Sequence, residues 1–419
     1  MVKNAREESP AEGGKAIFSG PSGQPQGDVL RDHPALMEAM GGSTLTSGNR
    51  ATLLIDGEAT FTAMLKAIRE AKNHINFEAY IFHDDEVGRQ FAELLVKKRA
   101  EGVTVNLIYD GLGCRRTARS FFERLRRAGV RTVEFNPVSP FRILGRRSVF
   151  HRTHRKLLIV DGVVAFTGGL NIGRAYLKSR HPGDRVSPPE DFWRDTDVMV
   201  EGPAVAEFQK LFFATWEGQN GPPLTEAGYF PGAGQKGDHQ VQVVGSTGGS
   251  MNRATYVMYV AVIAHARKSV HITQSYFAPG RRMMEALTDA AGRGVDVRII
   301  LPESTDHAVV RQAGRWRYGQ LLRSGVKLYE RRGAILHAKT ACVDGVWSTV
   351  GTTNLEMWSL RQNDEINAVV LGAEFGALME ESFAYDLAQS REILPQEWGA
   401  RPLSERAKQF FSSLLDPWL

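Results

Sequence analysis

Only two cysteines occur in 419 residues, Cys114 and Cys342. So few exclude a disulfide framework or a cysteine-rich zinc site and point to a reducing compartment. Cys342 lies in an apolar, strand-like run and reads as core. No uninterrupted apolar stretch of about 18 residues occurs, and the opening MVKNAREESPAEGGK lacks an apolar segment, so neither a membrane span nor a signal peptide is expected. A bilayer would then be met only from the side. Charge of one sign is scarce as well: 52 Lys and Arg against 47 Asp and Glu leave a formal +5, which permits an anionic partner and demands none.

What is present is enough apolar content, 42% against 24% charged, for two sizeable cores. Residues 1–48 are rich in Gly, Ser, Pro and charge and read as a loose leader. Beyond them the chain repeats itself. AIREAKNHINFEAYIF (67–82) returns as IAHARKSVHITQSYFAP (263–279), AEGVTVNLIYD (100–110) as GRGVDVRIILP (292–302), and HRKLLIVDGVVAFTGGLN (154–171) as HAKTACVDGVWSTVGTTN (337–354). His154 and His337 are 183 positions apart, as are Asn171 and Asn354, so the last block carries no insertion or deletion. Helical periodicity alternates with short Val/Ile/Leu runs preceded by glycine, the pattern of a mixed sheet covered by helices. A unit this long is no solenoid repeat. The expected fold class is α/β, a duplication in which halves 49–218 and 239–391 pack about a pseudo-twofold axis, joined by a Gly/Pro-rich linker at 219–238 and followed by a tail at 392–419.

On a strand, positions i and i+2 face the same way, so His154 and Lys156 project together while Arg155 and Leu157 point away. The Asp-Gly turns at 161–162 and 344–345 then bring Asn171 and Asn354 back beside their His/Lys pairs. A shared cleft would hold two His, two Lys and two Asn. Hydrolysis or transfer at a phosphodiester needs charge neutralisation, a nucleophile and protonation of the leaving alkoxide. Lysine ammonium and asparagine amide groups supply donors without a metal, one imidazole can attack phosphorus, and the other can protonate the departing oxygen. No metal or other cofactor is expected.

The pattern His-x-Lys-x4-Asp-x6-Gly-Gly/Thr-x-Asn, present twice (His154, Lys156, Asp161, Gly168, Asn171; His337, Lys339, Asp344, Gly351, Asn354), resembles the phospholipase D superfamily. Together with YIFHDDEVG, LIYDGLG, FTGGLNIG and WRDTDV, it is similar to the bacterial cardiolipin synthase branch from about residue 49 to 391. The resemblance implies a metal-independent, two-step reaction through a phosphatidyl-histidine. It implies catalytic roles for His154, Lys156, Asp161, His337, Lys339 and Asp344, with the two aspartates read here as turn anchors. It also implies substrate contacts from Asn171, Asn354, Gly169 and Thr352, and carboxylates Asp195 and Glu365 that orient the imidazoles. The family commonly draws its nucleophile from the first motif, here His154, but the residues alone do not order the two histidines. GTTN and Glu356 stand where the family usually carries Gly-Ser and Asp.

His154 follows Glu134 by 20 positions, whereas His337 follows Glu330 by 7. The insertion mixes Phe141, Ile143, Leu144, Val149 and Phe150 with Arg142, Arg146, Arg147 and Arg152, the composition of a lip that dips into an anionic bilayer. It offers little aromatic stacking surface, which argues against nucleic acid. The C-terminal LSERAKQFFSSLLDPWL reads as an interfacial helix, and RQAGRWRYG (311–319) as an acceptor-side lining of the cleft. Tyr80 and Tyr276 are expected beneath the site; His74, His83, His265, His271 and His307 are expected in packing or surface roles, and His151 as a flanking base. The function read from this is a cardiolipin synthase-like transfer of a phosphatidyl group to phosphatidylglycerol, by peripheral contact with anionic phospholipid at the cytoplasmic side of a bacterial inner membrane. The alternative is a phosphodiesterase or nuclease that releases its product to water. Donor headgroup and oligomeric state are not legible.

Overall fold

The β-branched runs form strands and the amphipathic stretches between them form helices with recognisable ends. The helix Glu86–Ala100 is typical: the Asp85 carboxylate accepts from Gly88 N at 3.0 Å, Glu86 opens the first turn, and Lys97, Lys98 and Arg99 close the last, charges that complement the helix dipole at both ends. The computed structural model describes residues 43–138, 151–177, 193–225, 228–248, 254–305 and 307–414.

The first half contributes β1 (Thr46–Ile55), β2 (His74–Ala79), β3 (Thr104–Asp110), β4 (Arg131–Phe135), β5 (Leu157–Val160), β6 (Val164–Gly168), β7 (Trp193–Arg194) and β8 (Thr196–Glu201). The second contributes β9 (His239–Ser246), β10 (Ser269–Gln274), β11 (Phe277–Ala278), β12 (Asp296–Pro302), β13 (Lys327–Arg331), β14 (Ile335–Leu336), β15 (Lys339–Val343), β16 (Trp347–Gly351), β17 (Leu355–Glu356), β18 (Glu365–Leu371) and β19 (Ser390–Glu392). One sheet runs β19-β13-β12-β10-β15-β16-β18-β9-β1-β8-β6-β5-β2-β3-β4. Read outward from its centre, β1-β8-β6-β5-β2-β3-β4 and β9-β18-β16-β15-β10-β12-β13 follow one order, so the duplicated α/β fold expected from the repeats is what the chain adopts. In each half three strands are parallel (β2, β3, β4; β10, β12, β13) and the inner ones antiparallel. The halves join where β1 pairs antiparallel with β9, across an irregularity between Thr46 and Asn49.

Each half keeps its own core beneath its helices, around Phe77, Phe91 and Phe121 in the first and Met258, Leu287 and Trp347 in the second. A third core belongs to both: Leu157, Ile159, Val198 and Val200 meet Val241, Val350, Ile366 and Val370, with Phe208, Phe212 and Trp216 packed among them. Two boundaries differ from expectation. The central strand opens at Thr46, inside the expected leader, and Thr46 Oγ1 donates to Val241 O at 3.0 Å. The second half extends past 391, because β19 pairs with β13, and Ile393 and Trp398 are buried in its core. The 219–238 connection is also pinned: Tyr229 is buried against His74 and Phe213, and its hydroxyl accepts from Asn106 Nδ2 at 3.0 Å.

Candidate active site

Both repeats end their hairpins in the same way. Asp161 and Gly162 have φ of 53° and 66°, Asp344 and Gly345 56° and 69°, as a tight Asp-Gly turn requires. The Asp161 carboxylate accepts from the backbone N–H groups of Lys72, Asn73 and His74 at 2.7–2.9 Å, and Asp344 from those of Arg267, Lys268 and Ser269 at 2.6–3.1 Å. The two motif aspartates therefore stand at the far ends of their strands, tying hairpin to helix, and neither reaches the cleft.

At the other ends of those strands the two imidazoles open onto one cleft of about 620 Å³, lined among others by Tyr80, His154, Asn171, His337, Asn354 and Glu356. Each histidine is held by a carboxylate from the opposite half. Nδ1 of His154 meets both oxygens of Glu365 at 3.0 Å, and Nδ1 of His337 meets Asp195 Oδ2 at 2.7 Å. Backbone bonds cross the same way: His154 N donates to Asp364 O at 2.9 Å and His337 N to Arg194 O at 2.8 Å. The first pair consequently lies in extended chain just ahead of β5, not on its first rungs, because Thr153 bridges to Asp364 of the other half. Arg155 points away from the cleft, as its alternation with His154 requires, and its buried guanidinium donates to Ser246 O at 2.8 Å, Thr215 Oγ1 at 2.7 Å and Glu365 O at 3.2 Å.

With Nδ1 turned to a carboxylate, Nε2 of each ring is left for the cleft. Burial lowers the His154 imidazole to about 4, against the pull of Glu365, so the ring is neutral near pH 7. Burial and the Lys339 ammonium lower His337 likewise. Burial alone would raise Asp195, but His337 and Lys339 hold it below the ordinary carboxylate range. Lys156 and Lys339 sit behind the imidazoles: Lys156 Nζ donates to His154 O at 2.8 Å, 5.2 Å from the Tyr80 ring centre, and Lys339 Nζ to Ser275 Oγ at 2.8 Å and to His337 O. Burial lowers Lys156 to about 7.

The remaining expectations divide. Asn171 and Asn354 line the cleft; Asn171 accepts from Ile81 N at 3.3 Å and donates to Tyr176 OH at 2.8 Å, and Asn354 accepts from Ser275 Oγ at 2.8 Å. Gly169 and Thr352 do not line it. A Cβ on Gly169 would lie 2.0 Å from Asp195 Oδ1, so that glycine makes room for the carboxylate, while Thr352 Oγ1 donates to Glu365 Oε2 at 2.5 Å. Tyr80 and Tyr276 form walls of the cleft. Arg152 is buried on Asp110 at 2.9 Å and is no part of an exposed lip; the other insertion residues named above, Phe141 to Phe150, lie outside the described residues. His151 is more than a flanking base, since Nε2 meets Asp364 Oδ1 at 2.6 Å. Arg311 and Arg315 turn from the cleft to buried Glu330, at 3.6 and 3.2 Å. Sequence reasoning missed Ser359, whose hydroxyl donates to Glu365, Ser275 beside Lys339, and the Tyr176 and Trp193 rings 5.8 and 5.1 Å from His337. Trp193 opens the quoted WRDTDV but was given no role there; the serines leave no periodic signal. Among the described residues no three His, Cys, Asp or Glu side chains are grouped to hold a metal ion.

The family model described as cardiolipin synthase, PLD-like domain matches residues 64–183 and 259–387, one stretch per half. The chain belongs to this phospholipase D-like family. Cardiolipin synthase from Listeria monocytogenes serotype 4b is 35% identical over 401 residues, covering 95% of this chain and 81% of that one. Cardiolipin synthase from Halalkalibacterium halodurans is 34% identical over 387 residues, 92% of this chain and 75% of that one. Among solved structures, phosphatidylserine synthase from Haemophilus influenzae shares the fold with a TM-score of 0.65 at 15% identity, over 92% of this chain and 99% of that one. Polyphosphate kinase from Porphyromonas gingivalis shares it more loosely, with a TM-score of 0.51 at 11% identity over 81% of this chain and 50% of that one. Membership of this phospholipase D-like family makes the chain an enzyme of that superfamily.

Proposed function

We propose that the chain is a cardiolipin synthase-like phosphatidyltransferase, working through a phosphohistidine and delivering the phosphatidyl group to a hydroxyl of phosphatidylglycerol. The observation that carries this reading is the crossed pair of His–carboxylate contacts opening on one cleft. Neutral His154, its Nδ1 proton held by Glu365, offers the Nε2 lone pair to phosphorus. A P–N bond forms, the P–O bond to the leaving alcohol breaks, and His337, which enters this step as the imidazolium with Nδ1–H on Asp195, gives that oxygen its Nε2 proton and is left neutral. In the second step the acceptor hydroxyl returns a proton to His337 while its oxygen displaces His154 from phosphorus. Asn171 and Asn354 donate to the non-bridging oxygens, and the two lysines supply positive charge from behind.

In this reading the catalytic unit is both halves, 49–218 and 239–391, with the 219–238 connection, and the chain works as a peripheral protein at the cytoplasmic side of a bacterial inner membrane. No helix among the described residues is long and apolar enough to cross a membrane. The helix Leu403–Ser413 leaves Leu403 and Phe411 78% and 65% exposed, and Leu414 after it 56%, an apolar edge suited to a bilayer interface.

Incubation with phosphatidylglycerol vesicles, read by mass spectrometry, tests the activity. A product with two phosphates and four acyl chains is expected; phosphatidic acid alone would make the chain a hydrolase. His154→Ala and His337→Ala should each lower turnover by at least about 10³-fold without loss of the folded circular-dichroism spectrum. A wild-type rate in either would end the shared-site reading.

A further inference from the structure

The cleft is not symmetric in charge. By the repeat register, the loop after Asp110, GLGCRRT, corresponds to that after Pro302, ESTDHAV, so Arg115 and Arg116 of the first half stand opposite His307 and Ala308 of the second. Both arginines line the cleft and both are exposed. Neither guanidinium has an ion pair among the described residues, although Arg115 also borders a neighbouring groove that contains Glu134.

Their loop is rigid. Asp110 accepts from Leu112 N and Gly113 N at 2.8 Å each and from buried Arg152 at 2.9 Å; Thr117 Oγ1 donates to Phe82 O at 2.6 Å. Gly113 lies so close to Tyr80 that a Cβ there would be 2.1 Å from its carbonyl oxygen. The backbone that carries the two arginines is thus fixed against Tyr80, whose ring centre is 5.0 Å from that of His154.

The phosphate under attack already has two imidazoles, two lysines and two asparagines. A further pair of guanidinium groups in the same cleft answers a second anion, and arginine forks suit the paired oxygens of a phosphate. We propose that Arg115 and Arg116 bind the phosphate of the acceptor lipid and so select a phospholipid hydroxyl over a simple alcohol. This rests on the transfer reading above. The acceptor oxygen forms its bond to phosphorus as the His154 P–N bond breaks and its proton passes to His337; the acceptor's own phosphate stays chemically unchanged on the arginines.

The test offers phosphatidylglycerol vesicles with excess 1-butanol and measures the ratio of four-chain, two-phosphate product to phosphatidylbutanol. Arg115→Gln/Arg116→Gln should lower that ratio by about 10-fold, and Arg115→Lys/Arg116→Lys should restore most of it. An unchanged ratio overturns the assignment, as does an equal fall in both products, which would give the arginines to the donor or the membrane surface. If the unmodified chain makes no four-chain product, the transfer reading itself fails and takes this one with it.

Discussion

At the scale of single residues, the cleft shows how burial sets protonation. His154 is neutral near pH 7 because burial outweighs the pull of the carboxylate that faces its Nδ1. Glu356 follows the same rule with the opposite sign: burial raises it to about 8, even though it accepts from Trp358 N and Ser359 N at 2.7 Å. A carboxyl raised in the folded state holds a proton that the unfolded chain has released, so stability declines as pH rises from about 4.5 to about 8. Glu356→Gln lacks that dependence. Its stability relative to the parent should therefore grow between pH 5 and pH 9, measured by urea denaturation; a constant difference would show that Glu356 titrates normally. Serine and threonine hydroxyls on Glu365 and the missing side chain at Gly169 complete the carboxylates' surroundings.

At the scale of elements, the helix Leu403–Ser413 is amphipathic in sequence, and the structure divides its apolar side. Phe410 packs on Trp316 at 5.4 Å, while Phe411 stays exposed, so one helix both covers the second half and presents an apolar edge. Trp398 before it is buried in that half's core with Arg315 and Arg401 over its ring. Phe411→Glu should weaken sedimentation with phosphatidylglycerol vesicles several-fold and leave the Tm within about 2 °C. Unaltered sedimentation would remove this helix from the membrane contact. The RQAGRWRYG segment misled for a physical reason: arginines beside aromatics read as a ligand surface, but the segment is helical and the buried carboxylate of Glu330, on the strand Lys327–Arg331, claims two of them.

At the scale of the whole molecule, the two halves are parts of one machine. Their sheets are continuous through β1 and β9, they share a third core, and each histidine is oriented by the other half. Unfolding should then be a single transition, with tryptophan fluorescence, far-UV circular dichroism and activity losing signal together in guanidinium; separate midpoints would mean that the halves unfold independently. The duplication, the α/β class and the paired motifs were legible in the chain, because strand alternation, Asp-Gly turns and a 183-residue internal offset are local or periodic signals, whereas Asp195 and Glu365 were suggested only by the family resemblance. What only the tertiary structure decided is which carboxylate serves which ring, which backbone N–H groups the motif aspartates hold, that Thr352 and Gly169 support carboxylates, and that Arg152 is buried in the cleft wall while Arg115 and Arg116 are exposed there. Those facts depend on contacts between residues far apart in the chain, and burial and pairing across an interface leave no mark in local order.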